Sequence, residues 1–406
     1  MLDTCEEELE TEGARAGVVL RPLSYALDYD DCPERIDDLI EKAATLLDDV
    51  RSRDDALKFA HRRCTDDVCR EAIWRRRVTA FVAAAENEQE AIVRLSLRRQ
   101  ALEVADRSEI PELRQLAASE LERAREDDLG MVRFGSSSHY YVEQFEQVRD
   151  SFISGTDWQQ ALIRFAHAGP LSGNAAANRA FVTTMRNENA LSALFPVELF
   201  GPDNMPILRA ITPEERFEYD FVRVEAQYTS VMAGPLVDAL HEIVVRFGMP
   251  PSEDLTAFLA SWPGMSAPAV HTIVRALQRF WSGDSEGATY TLVPRIEMMI
   301  RTLILATAGG IYRLQTTHAP GQYPGLGAML GIVAERFDIN ESRIRFLRLT
   351  LTEPAGFNLR NTLSHGISDW FDPGSAAIAI HNVLFIATLK PVAEDPQRPT
   401  PGGADS

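Results

Sequence analysis

The sequence predicts an all-α protein of several domains, and three observations carry that expectation. Apolar residues recur at helical spacing, as in Ile36, Leu39, Ile40, Ala43 and Leu47, which form one stripe of an amphipathic helix. Sustained period-2 alternation is scarce, and no βαβ rhythm emerges along the chain. At 406 residues, with 45% hydrophobic and 25% charged residues, the chain is packed protein rather than a disordered polymer, and is long enough for two or three domains.

Taken in order, residues 1–16 are acidic and poor in apolar content, and are expected to be disordered. Residues 17–135 form an N-terminal helical domain whose Arg- and Glu-dense stretch 70–127 has a helix broken or started by Pro111. The loop RFGSSSHYY at 133–141 marks a domain boundary. A middle helical region spans 140–266, punctuated at LSGNAAAN, LFGPDNMP, GMPPSED and WPGM. From 267 to 390 a C-terminal helical bundle is expected. Val270, Ile273, Val274, Leu277 and Phe280 stripe its first helix. An apolar helix at 291–308 is started or kinked by Pro294. The Gly-rich HAPGQYPGLG leads to a helix at 326–337, Asn340 caps the next, and helices at 357–370 and 375–389 finish the bundle. The tail 391–406 is rich in Pro and Gly and is expected to be disordered.

The net charge of −19 disfavours polyanions overall, but it is unevenly placed. Residues 271–390 carry 11 Arg and Lys against 9 Asp and Glu, so the acidity belongs to the first two thirds. A phosphate site is therefore sought near the C-terminus. No apolar run approaches the roughly 18 residues that span a bilayer, and MLDTCEEELETEG lacks the basic and apolar sections of a secretory signal, so a cytoplasmic location away from membranes is expected.

Cys5, Cys32, Cys64 and Cys69 are too few for a disulfide framework. His61, Cys64 and Cys69 fit no zinc spacing, so no metal is expected there, and the cysteines are expected to line a helical core. GDSEG at 283–287 matches the G-x-S-x-G nucleophile elbow, but helical flanks make Asp284 or Ser285 a helix cap rather than Ser285 a nucleophile. The chain has no Walker motif, dinucleotide fingerprint, H-E-x-x-H or paired C-x-x-C, and no cofactor is expected.

One segment resists this elimination: Phe357-Asn358-Leu359-Arg360-Asn361-Thr362-Leu363-Ser364-His365-Gly366-Ile367. At helical spacing Leu359, Leu363, Ile367 and Trp370 form a buried stripe, and Arg360, Asn361, Ser364 and His365 share the opposite arc. Asn361 and His365 are i,i+4 neighbours, close enough for the amide to orient the imidazole. Gly366 is costly inside a helix and suggests close approach of another backbone. The same residues also read as a solvated helix face with Gly366 as its C-cap.

Arg360-Asn361-x-x-x-His365-Gly366 resembles the R-N-x-x-x-H-G signature of an uncharacterised domain family in the HEPN superfamily of all-α bundles. Leu292-Val293-Pro294-Arg295-Ile296-Glu297 with Arg301, followed by a Gly-containing loop and Gly356-Phe357-Asn358, supplies a similar context. The resemblance covers roughly 270–390. It implies metal-independent RNA cleavage, in which a ribose 2′-OH attacks its own phosphate to leave a 2′,3′-cyclic phosphate and a 5′-OH. His365 suits the proton transfer, Arg360 the phosphorane charge, and Asn361 the imidazole or the phosphate. The resemblance also implies a homodimer, because a second R…H motif supplies the second acid/base group.

Glu297 and Arg301 read as an ordinary i,i+4 ion pair or as support for this site, together with Ser364 and Gly366. Arg343, Arg345 and Arg348 read as RNA contacts or as an exposed basic face. Two alternatives stand beside the nuclease: a non-catalytic module that binds RNA, nucleotide or protein, and a dimeric scaffold whose acidic N-terminal helices recruit a protein partner. A defence, toxin or RNA-processing role follows from superfamily analogy alone.

Overall fold

The computed structural model describes residues 2–28, 35–126, 142–189, 195–201, 204–307, 311–312, 323–368 and 370–392. Among them are eighteen α-helices and one two-stranded hairpin, so the all-α expectation holds. None of these helices is long and apolar enough to cross a membrane. The chain divides into two compact units.

The first unit, within residues 1–135, holds seven helices: α1 (Leu2–Leu9), α2 (Ala16–Leu27), α3 (Arg35–Leu46), α4 (Val50–Arg63), α5 (Asp67–Asn87), α6 (Ala91–Ser108) and α7 (Pro111–Glu122). The expected disorder of 1–16 is corrected: α1 buries Cys5 and Leu9 against α2 and α3, since its few apolar residues fall on one face. The Ile36–Leu47 stripe is buried as its spacing requires, and Pro111 starts α7 at the position where its missing N–H costs nothing. Between α5 and α4 lies a buried ion pair, Arg77 Nε 2.6 Å from Asp54 Oδ1, with the Arg77 guanidinium carbon 4.4 Å over the Trp74 ring. Cys5 lies buried in the core as a free thiol and Cys64 borders it, but Cys64 is also joined to Cys69 in a disulfide across the α4–α5 turn, a pairing not expected from the sequence. Cys32 and the boundary loop 133–141 lie outside the described residues.

The second unit runs from 136 to the C-terminus apart from a short stretch at 203–205. It contains α8 (Val142–Phe152), α9 (Trp158–His167), α10 (Ala175–Glu188), β1 (Val197–Phe200), β2 (Pro206–Ala210), α11 (Pro213–Phe247), α12 (Ser252–Ala260), α13 (Ala267–Trp281), α14 (Ser285–Ala306), α15 (Leu326–Arg336), α16 (Glu341–Leu351), α17 (Leu359–Ser364) and α18 (Pro373–Ala387). The expected boundary at 266/267 is absent. One large hydrophobic core joins residues from Phe152 to Leu389, because α18 is buried on every side from Ala376 to Ala387 and is packed by α9, α11, α13 and α14; a small separate cluster lies between α10 and α11. A helix apolar all round needs neighbours all round, and the middle region supplies two of them.

Caps define the ends. Thr212 and Glu215 form a reciprocal capping box on the 35-residue α11, Asn340 accepts from the Arg343 N–H at the start of α16, and Asp284 accepts from the Gly287 N–H at the start of α14. Asp284 is thus a helix cap, and Ser285 begins a helix rather than projecting from a strand. Pro294 lies inside α14 and not at its start, since the helix extends back to Ser285. The antiparallel β1–β2 hairpin has no counterpart in the helical reading; its strands of four and five residues are too short to give an alternation signal. Beyond Val392 the tail lies outside the described residues.

Candidate functional site

The motif segment is short because the backbone on either side of it is held. Gly356 is packed so closely on the Leu349 carbonyl that a Cβ there would come within 2.3 Å of the oxygen, and the Phe357 N–H donates to the same carbonyl at 3.0 Å. Asn358 follows in the left-handed conformation, φ 48° and ψ 34°, which asparagine tolerates better than most residues, and α17 starts immediately after it. Leu359 then anchors the turn in the core.

At the other end the Gly366 N–H donates to the Leu363 carbonyl and the Ile367 N–H to the Thr362 carbonyl, with Gly366 at φ 62°. This paired pattern is a Schellman termination, and it stops the helix at Ser364. The expected helix over 357–370 is corrected accordingly. Ile367 and Trp370 leave the buried stripe and are 42% and 63% exposed, while Leu363 only borders the core. A Cβ on Gly366 would meet nothing within 4 Å, so the residue answers to the positive φ and not to an approaching backbone.

Arg360 is held on two sides. Its Nη1 donates to Asn361 Oδ1 at 2.9 Å, and its Nε lies 3.5 Å from Glu297 Oε2 on α14, with a third of the side chain still exposed. Glu297 also accepts from Arg301 Nη2 at 3.0 Å, so one carboxylate sits between two guanidiniums. Glu297 and Arg301 are therefore more than an isolated ion pair, because Glu297 also reaches the motif helix. Beyond them, the Arg301 guanidinium carbon stands 4.5 Å over the Tyr323 ring.

Asn361 does not orient the imidazole. Its side-chain oxygen is taken by Arg360 and its nitrogen donates to Asn358 Oδ1 at 2.8 Å, so the amide braces the guanidinium instead. His365 is the exposed C-cap of α17, linked to Asn361 by its backbone N–H, and its ring makes no hydrogen bond or ion pair with a described residue. Ser364 is exposed, and its hydroxyl likewise bonds no described residue. His365 is exposed, and Arg360 keeps about a third of its side chain in solvent beside α14.

The three arginines of α16 separate. Arg343 is buried, with its Nη2 donating to the His167 carbonyl at 2.8 Å and its guanidinium 4.4 Å from the Phe385 ring centre; burial pushes its pKa down to about 10. Arg345 bridges Glu225 and Glu218 at 2.8 Å each and lies over Phe221. Neither forms part of an exposed basic face, because aromatic rings and carboxylates turn both inward. Arg348 alone of the three is exposed.

Asn358 and the tyrosine beside Arg301 were missed as site residues. Asn358 stands within the motif segment, but its left-handed backbone is invisible to a helical-wheel reading. Compared with protein-family models, with curated proteins and with solved structures, the chain matches none. Among the described residues no group of three His, Cys, Asp or Glu side chains is placed to hold a metal ion.

Proposed function

We propose that the second unit is a metal-independent endoribonuclease of HEPN type, acting from a homodimer in the cytoplasm. The observation that carries this reading is the braced guanidinium: Arg360 is fixed by Glu297 and Asn361, with its remaining surface in solvent, and the solvated His365 imidazole lies just past the end of the same short helix. A guanidinium whose position is already set stabilises the charge of a phosphorane with little reorganisation. An imidazole on the same short segment is a group able to take the 2′-OH proton as the attack begins.

In the reaction the 2′ oxygen bonds to phosphorus as the 5′ oxygen leaves with a proton, giving a 2′,3′-cyclic phosphate and a 5′-OH. One histidine cannot take the first proton and deliver the second at the same moment, so a second copy of the motif supplies the other group. Ile367 and Trp370, exposed after the end of the same short helix, offer apolar surface for that pairing.

A second reading is favoured by the engagement of Asn361. With its amide committed to Arg360 and Asn358, the His365 ring has no orienting partner among the described residues, as a module that binds RNA without cleaving it would allow. Mixed RNA incubated in EDTA with wild type, Arg360→Ala and His365→Ala separates the readings. Cyclic-phosphate products from wild type, lost in both folded variants, establish the nuclease. RNA bound intact by the dimer establishes the binding module, and RNA neither bound nor cut rejects both.

A further inference from the structure

Tyr312 and Tyr323 stand with ring centres 5.1 Å apart and planes at 74°, and they remain 50% and 41% exposed. Each is anchored by a buried chain neighbour, Ile311 and Pro324, so the rings are held at the surface. An exposed tyrosine is ordinary; an edge-to-face pair with a guanidinium fixed over one ring is a different arrangement. Arg301 lies 4.5 Å over Tyr323 and is tied by Glu297, whose other oxygen faces Arg360. The aromatic pair is thus joined through two side chains to the residue proposed to grip the phosphate.

We infer that the Tyr312–Tyr323 pair is a stacking platform for one unpaired RNA base flanking the phosphate at Arg360. The inference rests on the RNA reading of the Arg360 site. Every base has a π-face, so an aromatic platform backed by arginine selects unpaired over paired nucleotides while tolerating sequence. Preset rings lose little freedom on binding, and Arg301 is already committed to Glu297 before RNA arrives. The platform therefore adds affinity and register without reading base edges.

The test uses the full chain carrying His365→Ala to prevent cleavage, with an unstructured mixed-sequence RNA oligonucleotide containing one 2-aminopurine, and the same RNA annealed to its complement. Quenching of the fluorophore reports stacking directly. Tyr312→Ala and Tyr323→Ala are each expected to weaken single-strand binding on the order of 10- to 100-fold and to remove the quenching, while the Phe variants keep both. Circular dichroism confirms that the variants are folded. Equal binding by the Ala variants overturns the platform and leaves the RNA reading intact, as does equal affinity for the duplex. A change in oligomeric state with unaltered RNA binding also overturns it, since the pair is then a contact between copies. RNA neither bound nor cleaved by the parent protein removes the RNA reading itself and the platform with it.

Discussion

Glu297 on α14 and Arg360 on α17 are 63 positions apart in sequence, yet Glu297 Oε2 lies 3.5 Å from Arg360 Nε. The same carboxylate holds Arg301 through its other oxygen. One acidic side chain, only a quarter exposed, therefore sets the direction of two cations in a chain whose C-terminal segment is otherwise nearly neutral.

Glu297 should act by positioning. Glu297→Ala is expected to lower kcat for RNA cleavage on the order of 10- to 100-fold, because a guanidinium displaced by about 1 Å serves a developing charge poorly. KM should stay constant or fall, since Arg360 gains net attraction for phosphate when its carboxylate is removed. Steady-state kinetics of the folded variant check this; kcat and KM both at wild-type values would assign Glu297 a purely structural place.

Gly366 carries the turn that ends α17. Replacement by Val forces a β-branched residue to φ 62° and should cost about 1–2 kcal/mol, seen as a Tm lower by a few degrees. Open space around the position means that strain alone is responsible, so Gly366→Asn should lose much less. Equal losses for Val and Asn in thermal denaturation would show that some contact, not φ, is at stake.

His381 lies in the centre of α18, fully buried between Phe165 and Phe346, where the Ala168 backbone offers its ring at most a weak hydrogen bond. Burial, helped by the charge of Arg343, pushes its pKa down to about 3. Its folded pKa is depressed below the ordinary 6.5, so the unfolded chain binds the extra proton first. Stability is unaffected above pH 6.5 and falls as pH drops from there toward 3, by about 1.4 kcal/mol per unit. His381→Phe should flatten this acid limb while costing little at pH 7.5; urea unfolding at pH 4.5 and 7.5 that shows parallel losses in both proteins would contradict it.

Arg345 offsets the charge of Glu225, which is only 1% exposed. Burial raises the Glu225 pKa even with Arg345 beside it. Arg345→Ala leaves that carboxylate unpaired and should cost about 3–5 kcal/mol at neutral pH. A raised carboxyl pKa makes the folded state the better proton acceptor, so the penalty should be largest above that pKa and shrink as pH falls toward 4.5. Adding Glu225→Gln should recover much of the loss, and a double variant as unstable as Arg345→Ala at every pH would show that the lost packing on Phe221 dominates.

The helices and several of their ends were legible locally, because a stripe such as Ile36 to Leu47 and caps such as Asn340, Asp284 and Pro111 act over one or two turns. The sequence also marked Arg360 and His365 as residues worth placing. What those residues touch was settled by packing. Helical periodicity put Ile367 and Trp370 in a buried stripe, but a left-handed Gly366 ends the helix first and leaves them in water. Spacing paired Asn361 with His365, whereas Arg360 and Asn358 claim the amide. The α16 arginines looked like a basic face until Phe385, Phe221 and Glu225 drew two of them inward. The deciding feature is a partner on another helix for the arginines, one backbone angle for the stripe, and for Asn361 a side-chain pairing within its own turn; helical periodicity carries information about none of them.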